Sequence, residues 1–231
     1  LDTQTQYGDG TGNPAHGPIK QPTPSKPIGG GTTNTTPGSV KKIVTDRLAI
    51  TSLKLSEQGA AFIKGWEDKK STPDGQKLFY YDDDSKFCTV GWGHLVAGKT
   101  SCAAQGIKGF PQGHNYQAGD EYRYQWITAE QAHEIFLQDV LHKAENLIKK
   151  DVKVPLYQHE FDALCDLAFN VGRLSVIAPK LLRLLNQGNY ADAPEQMLDI
   201  DKSAGIYLDG LHKRRKTDYH VFVNNIYNST H

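Results

Sequence analysis

An excess of charge of either sign is missing from this chain: 26 Lys and Arg stand against 26 Asp and Glu in 231 residues. A balanced chain has no broad field with which to hold a polyanion, so no nucleic-acid partner is expected, and only a local basic patch stays open. No apolar run is long enough to cross a bilayer, which argues against membrane insertion. LDTQTQYGDG at the start has neither the charged nor the apolar region of a signal peptide, and Leu1 is not an initiator. Together with the tether-like composition of residues 1–45, this leads us to expect a C-terminal module of a larger protein. Cysteine is scarce, with three residues and no C-x-x-C or Cys/His ligand spacing, so neither metal nor cofactor is expected. Cys165 lies in an apolar helical pattern and reads as inert core. Cys88 and Cys102 are expected as reduced thiols, with pairing across the intervening loop as the alternative in an oxidising compartment. The triple glycine at 29–31 is not a phosphate loop, because no strand precedes it and no helix follows.

Large apolar side chains are also nearly absent from residues 1–45, which are rich in Gly, Pro, Thr and Asn. Such a stretch cannot bury enough surface to offset the entropy of ordering it, so 1–45 reads as a flexible linker. An ordered peptide laid on the domain is the alternative. Residues 46–231 then form one domain. Ser56 can cap a helix with Ala60, Ala61, Phe62, Ile63 and Trp66 at near-helical spacing, and the helix should fail at 67–70, before the turn residues Ser-Thr-Pro-Asp-Gly. Leu78–Tyr81 and Phe87–Trp92 read as two strands around the turn 82–86. The Gly-rich loop 98–125 either walls a groove with Tyr116, Tyr122 and Tyr124 or is a surface insertion. Thr128 and Gln131 form a capping box for a helix reaching about Lys150, with Ala132, Phe136, Val140, Ala144 and Leu147 as its buried stripe. A nearly all-apolar, central helix spans 160–172, and further helices are expected over 179–187, 190–199 and 213–225. A mixed lobe followed by a helical one is an α+β layout.

Chemistry concentrates between Ser56 and His94. Glu67 follows Phe62, Ile63 and Trp66, so its helix end lies on apolar surface, and burial of that kind raises a carboxyl pKa. Asp82, Asp83 and Asp84 sit in a polar turn, with Thr89 on the next strand. One shielded acid and one solvated acid are what hydrolysis of a glycosidic bond requires. Taken singly, a run of three aspartates is an ordinary hairpin tip and a helix-end glutamate an ordinary surface charge.

LSEQGAAFIKGWED followed by YYDDDSKFCTVGWGH resembles the phage-type lysozymes, the T4 and lambdoid enzymes of glycoside hydrolase family 24. The family pattern is a helix ending in Glu, then Tyr-x-Asp, then Thr-(Ile/Val)-Gly-x-Gly-His. The resemblance places Glu67 on the catalytic acid, Asp83 and Thr89 on the residues that handle water, and Thr89 to His94 on the second motif. AFNVG at 168–172 and GLHKRR at 210–215 extend it over about residues 52–225. It implies a lysozyme-like fold, a small β lobe and a helical lobe flanking a substrate groove. Family position also makes Leu95, Phe169 and Asn170 glycan contacts, although Leu95 and Phe169 fit a core equally well. His94 reads as a structural hydrogen-bonder near the site rather than a base. Lys213–Lys216 reads as a solvated helix face, with attraction to an anionic wall as the alternative. The chain departs from the pattern at Asp68 and Lys86, where Gly is usual, and in the expanded 98–125 loop.

What the resemblance implies is an N-acetylmuramidase. Glu67 protonates the oxygen joining N-acetylmuramic acid to N-acetylglucosamine, and Asp83 with Thr89 activates water, with inversion expected. The partner is bacterial peptidoglycan in the periplasm, met by a monomer. A secreted antibacterial effector with a cognate immunity protein, a tail lysozyme and an endolysin are all compatible settings. The alternatives are a lytic transglycosylase and a non-catalytic wall-binding module.

Overall fold

The computed structural model describes residues 46–67, 69–203 and 205–229. The linker expected over 1–45 and the departure at Asp68 lie outside the described residues. Helix α1 (Glu57–Trp66) begins where the Ser56 hydroxyl accepts the Gly59 N–H at 2.9 Å. It ends at Glu67, whose extended dihedrals (φ −96°, ψ 125°) turn the chain out. Ala60, Phe62, Ile63 and Trp66 face the core, as their spacing predicts.

The strand expected over 78–81 is in fact two. β1 (Lys77–Phe79) pairs antiparallel with β5 (Trp126–Thr128), whereas β2 (Tyr81–Asp82) pairs with β3 (Cys88–Val90), which pairs with β4 (His94–Leu95). Tyr80 divides them: its N–H donates to the Gln125 carbonyl and its carbonyl accepts from Phe110. β3 is shorter than expected because Gly91 (φ 65°) and Gly93 (φ 76°) reverse the chain. The same reversal creates β4, which the sequence did not predict.

The expectation of reduced thiols at Cys88 and Cys102 is corrected, because the two form a disulfide with their Cα atoms 4.5 Å apart. The loop is brought back onto β3 by its own backbone: the Cys88 N–H donates to the Thr100 carbonyl and the Cys102 N–H to Asp82 Oδ1, at 2.8 and 2.7 Å. Farther along the loop, Phe110 stacks on Phe79, and Tyr116 and Tyr124 pack with them as a small second core. Tyr122 is 88% exposed. The loop is a folded cover on the β lobe, and its tyrosines do not form one common wall.

The capping box at Thr128 and Gln131 forms and opens α2 (Ala129–Val140). Next comes a wide π turn over Leu141–Glu145 and then α3 (Asn146–Asp151). The wide turn advances the buried stripe by one position. Ile148 is buried where Leu147 was expected.

Helix α4 (Gln158–Val171) is central, with every residue from Glu160 to Ala168 buried, and it ends at Gly172 in a positive-φ conformation. It is less apolar than expected. Glu160 accepts a forked contact from Arg47, and Asp162 accepts from the Ser56 N–H, Gln158 and Tyr227. α5 (Leu174–Ile177) and α6 (Pro179–Asn186) follow. The helix expected over 190–199 is only a 3-10 turn, Pro194–Met197, because the Asn189 side chain accepts the Asp192 N–H and Pro194 restarts the chain. A two-residue ribbon, β6 (Lys202–Ser203) with β7 (Ile206–Tyr207), leads into α7 (Asp209–Asn224), which packs along α4. The solvated face expected over 213–216 holds for Lys213 and Lys216, which are exposed, and is corrected for Arg214 and Arg215, which are buried against α4 acids.

Candidate active site

Glu67 is delivered by the end of α1, and its side chain is 20% exposed. Its Oε2 lies against the turn between β3 and β4, where a Cβ built on Gly93 would stand only 3.4 Å away. Glycine suits 93 because the turn needs its positive φ of 76°, and the carboxylate lies within van der Waals reach of that position. This contact joins the α1 end to the small sheet. On the other side, Arg214 Nη1 donates to Glu67 Oε1 at 2.9 Å while Arg214 grips Asp166 through Nε and Nη2 at 3.0 and 2.6 Å. Burial pushes the Glu67 carboxyl up, and the opposing charge and hydrogen bond of Arg214 do not cancel that rise.

Asp83 follows β2 directly, and its turn holds it at both ends. Its backbone N–H donates to the Phe87 carbonyl and its Oδ1 accepts the Phe87 N–H, each at 2.9 Å. Lys86 closes the turn with φ 64°, the conformation for which glycine is usual. Thr89, on β3 opposite Tyr81, is 4% exposed. Its hydroxyl lies 3.3 Å from Asp83 Oδ2 and 3.2 Å from the Phe87 carbonyl, and with one proton it can donate to only one of them at a time. Asp82 and Asp84 are engaged elsewhere, Asp82 with the Cys102 N–H and Asp84 with Gln112. A cavity of about 190 Å³ opens beside Asp83, lined by Lys70, Tyr81, Asp82, Asp84 and Gln112. A larger one of about 840 Å³, near Ser56, Tyr157 and Tyr227, contains none of these groups.

The remaining expected residues are placed as follows. Leu95 sits half-buried on β4, opposite Thr89. His94 Nδ1 lies 3.0 Å from Asp139 Oδ2, which also receives Lys143 at 3.0 Å. Burial alone would raise Asp139, but the His94 and Lys143 hydrogen bonds hold it below the ordinary carboxylate range. Phe169 is half-buried, its ring 5.8 Å from that of Phe136 with Lys143 Nζ 5.5 Å from its centre. Asn170 is exposed, and its Oδ1 accepts from Arg215 at 3.1 Å. Asp83 and Thr89 are thus in contact, and Glu67 meets the same β3–β4 unit through Gly93.

Asp166, Asp139 and Lys143 were not singled out from the sequence, and Arg214 entered only as part of the Lys213–Lys216 run and the GLHKRR segment. The signal for pairing Asp166 with Arg214 was present, because an aspartate inside an apolar helix requires a cation. Asp82, Cys88 and Cys102 bring metal-type donor atoms together, but the disulfide occupies both sulfurs.

The phage lysozyme family model matches residues 72–218. An endolysin of Acyrthosiphon pisum secondary endosymbiont phage 1 is 30% identical over 174 residues, covering 74% of this chain and 98% of that protein. An endolysin of Salmonella phage P22 is 33% identical over 150 residues, 65% of this chain and 89% of its own. Among solved structures, an endolysin from Escherichia coli O157:H7 phage FAHEc1 superposes with a TM-score of 0.57 at 25% identity, covering 77% of this chain and 98% of its own. A P22 lysozyme mutant gives 0.53 at 30% identity, over 74% and 99%.

Proposed function

This chain belongs to the phage lysozyme family of glycoside hydrolases, and from that premise we propose that it hydrolyses peptidoglycan as an N-acetylmuramidase. The bond cleaved is the β-1,4 link between N-acetylmuramic acid and N-acetylglucosamine. Glu67 is the general acid. The observation that carries this reading is a carboxyl shielded enough for burial to raise its proton affinity, yet open to solvent beside the Gly93 turn. A carboxyl raised in this way keeps a proton for the leaving oxygen near neutral pH. Asp83 is the base that activates water, and Thr89 orients it, as the 3.3 Å contact between them supports. Hydrolysis through a water activated on the opposite sugar face inverts the anomeric carbon. Leu95, Phe169 and Asn170 contact the glycan.

Among the described residues, no helix is long and apolar enough to cross a membrane. We assign the site of action to the periplasm, reached as a monomeric lytic module that an attached effector, with its immunity protein in the producer, or a phage lysis machinery delivers. Residues 1–45 serve as the linker and 46–231 as the catalytic domain. Digestion of purified Gram-negative peptidoglycan tests the chemistry. Mass spectrometry is expected to find muropeptides with free reducing ends, released initially as the α-anomer by NMR. 1,6-Anhydro products would replace hydrolysis with transglycosylation, and binding without release would remove the enzyme reading.

A further inference from the structure

Trp92 stands between Gly91 and Gly93 in the turn that carries the chain from β3 to β4. Its ring packs on two clusters. One is the helical core, where the Phe136 ring meets it edge-on at 6.0 Å; the other comprises Leu78, Val90, Ile127 and Ala132. Lys64 Nζ stands 3.8 Å from the centre of the Trp92 ring and 5.0 Å from that of Phe136, within cation–π range of both. Lys64 belongs to α1, three residues before Glu67, and its carbonyl accepts the Glu67 N–H at 3.3 Å. One residue thus holds the turn with its side chain and the helix end with its backbone. Among the described residues no carboxylate pairs with the Lys64 ammonium. Its Nζ lies 2.6 Å from His133 Nδ1 on α2, which accepts, because an ammonium can only donate. Lys69, in the segment after α1, is the other charge felt at Lys64, and its Nζ lies 5.5 Å from the Trp92 ring.

We infer that Lys64 and Trp92 are positioning residues: their contact fixes α1 against the β3–β4 turn and so sets the span between Glu67 and the Asp83–Thr89 pair. The inference rests on the reading of those three residues as the hydrolytic site and adds what holds its two halves together. Glu67 is delivered by α1, whereas Asp83 and Thr89 belong to the small sheet and its turn. Attack by water needs carboxyls about 6.5–9.5 Å apart, and a misplacement of about 1 Å can cost about a hundredfold in rate. Gly93 touches the Glu67 carboxylate but has no side chain with which to hold it. Trp92, one residue earlier, has one, and Lys64 grips its face. Burial, with the like charge of Lys69, lowers the Lys64 ammonium to about 8. The cation is therefore held on the ring at neutral pH and lost as pH rises through that value.

Lys64→Met keeps an apolar stem on the ring and removes the charge, and Lys64→Arg restores a cation that does not titrate. On purified peptidoglycan Lys64→Met is expected to lower kcat about 10- to 100-fold while KM holds. Lys64→Arg is expected to recover most of that loss and to gain on the parent as pH passes about 8. A folded Lys64→Met protein with parental kcat overturns the inference, whatever happens to its unfolding midpoint, because the contact would then serve stability alone. The Trp92 indole 15N–1H signal of the unaltered protein decides the matter where the variants do not fold. That signal is expected to shift with a midpoint at about pH 8, as the ammonium over the ring loses its proton. A signal that stays fixed through that range overturns the inference. The muramidase reading fails separately, on the absence of free reducing ends from the unaltered protein, whereas parental cleavage by Lys64→Met removes only the positioning role.

Discussion

Glu67, Asp83 and Thr89 differ in how their neighbours hold them, and their substitutions should fail differently. Burial raises the Glu67 carboxyl while Arg214 holds it in place, so Glu67→Gln keeps the shape and the Arg214 contact but has nothing to transfer. Loss of about 100- to 10,000-fold in turnover is expected for a missing general acid, with no fall in the thermal unfolding midpoint, and clearing of permeabilised Gram-negative cells measures it. Wild-type clearing rates from Glu67→Gln would end the assignment of Glu67. In the role proposed for it Thr89 orients water, so Thr89→Val should lower kcat by about ten- to a hundredfold through misplaced water while KM changes little. Valine suits β3 and leaves no buried hydroxyl without a partner, which separates that loss from unfolding.

At the scale of elements, the chain is divided by its turns and fastened by contacts distant in sequence. The Cys88–Cys102 disulfide ties the 98–110 part of the loop to β3, one residue before Thr89. Closing a loop across a separation of 14 residues stabilises the fold by about 3 kcal/mol in the chain-entropy view. A Cys88→Ala, Cys102→Ala double variant should therefore show a lower urea midpoint, and excess dithiothreitol should bring the parent protein to the same value. An unchanged midpoint in both would mean the aromatic cover of Phe110, Tyr116 and Tyr124 holds the loop unaided. The π turn makes a second prediction. Ile148→Ala removes core, whereas Leu147→Ala trims a half-exposed side chain. The first should lower the midpoint clearly and the second hardly at all; the reverse order would place the stripe where an unbroken α-helix puts it.

For the whole molecule, acid stability follows from which carboxyls are held low and which are raised. Asp139 and Asp166 have folded values below their unfolded ones. Their contribution is complete above the unfolded carboxyl value and disappears as pH falls through the folded value. Glu67 has the opposite sign: its folded value is raised, so its effect costs stability as pH climbs from the unfolded value through the folded one. Urea midpoints across an acid-to-neutral series are expected to fall steeply on acidification. Glu67→Gln should gain on the parent as pH rises through the Glu67 window, and Asp139→Asn should lose part of the acid slope. Parallel curves for all three proteins would show that these groups titrate alike in both states.

Local chemistry was legible in the sequence wherever neighbours along the chain decide the outcome. The Ser56 and Thr128 caps, the turn at 72–75, the central helix ending at Gly172 and the Glu67, Asp83 and Thr89 pattern were all readable, because each depends on side chains a few positions apart. Tertiary contacts decided the rest. The partner change at Tyr80 requires Gln125 and Phe110, the disulfide requires the loop to return to β3, and Arg214 within the run Lys213–Lys216 turns inward because Asp166 waits in α4. Helical spacing alone shows where a charged side chain points on its own helix, but the counterion that makes burial tolerable comes from another part of the chain.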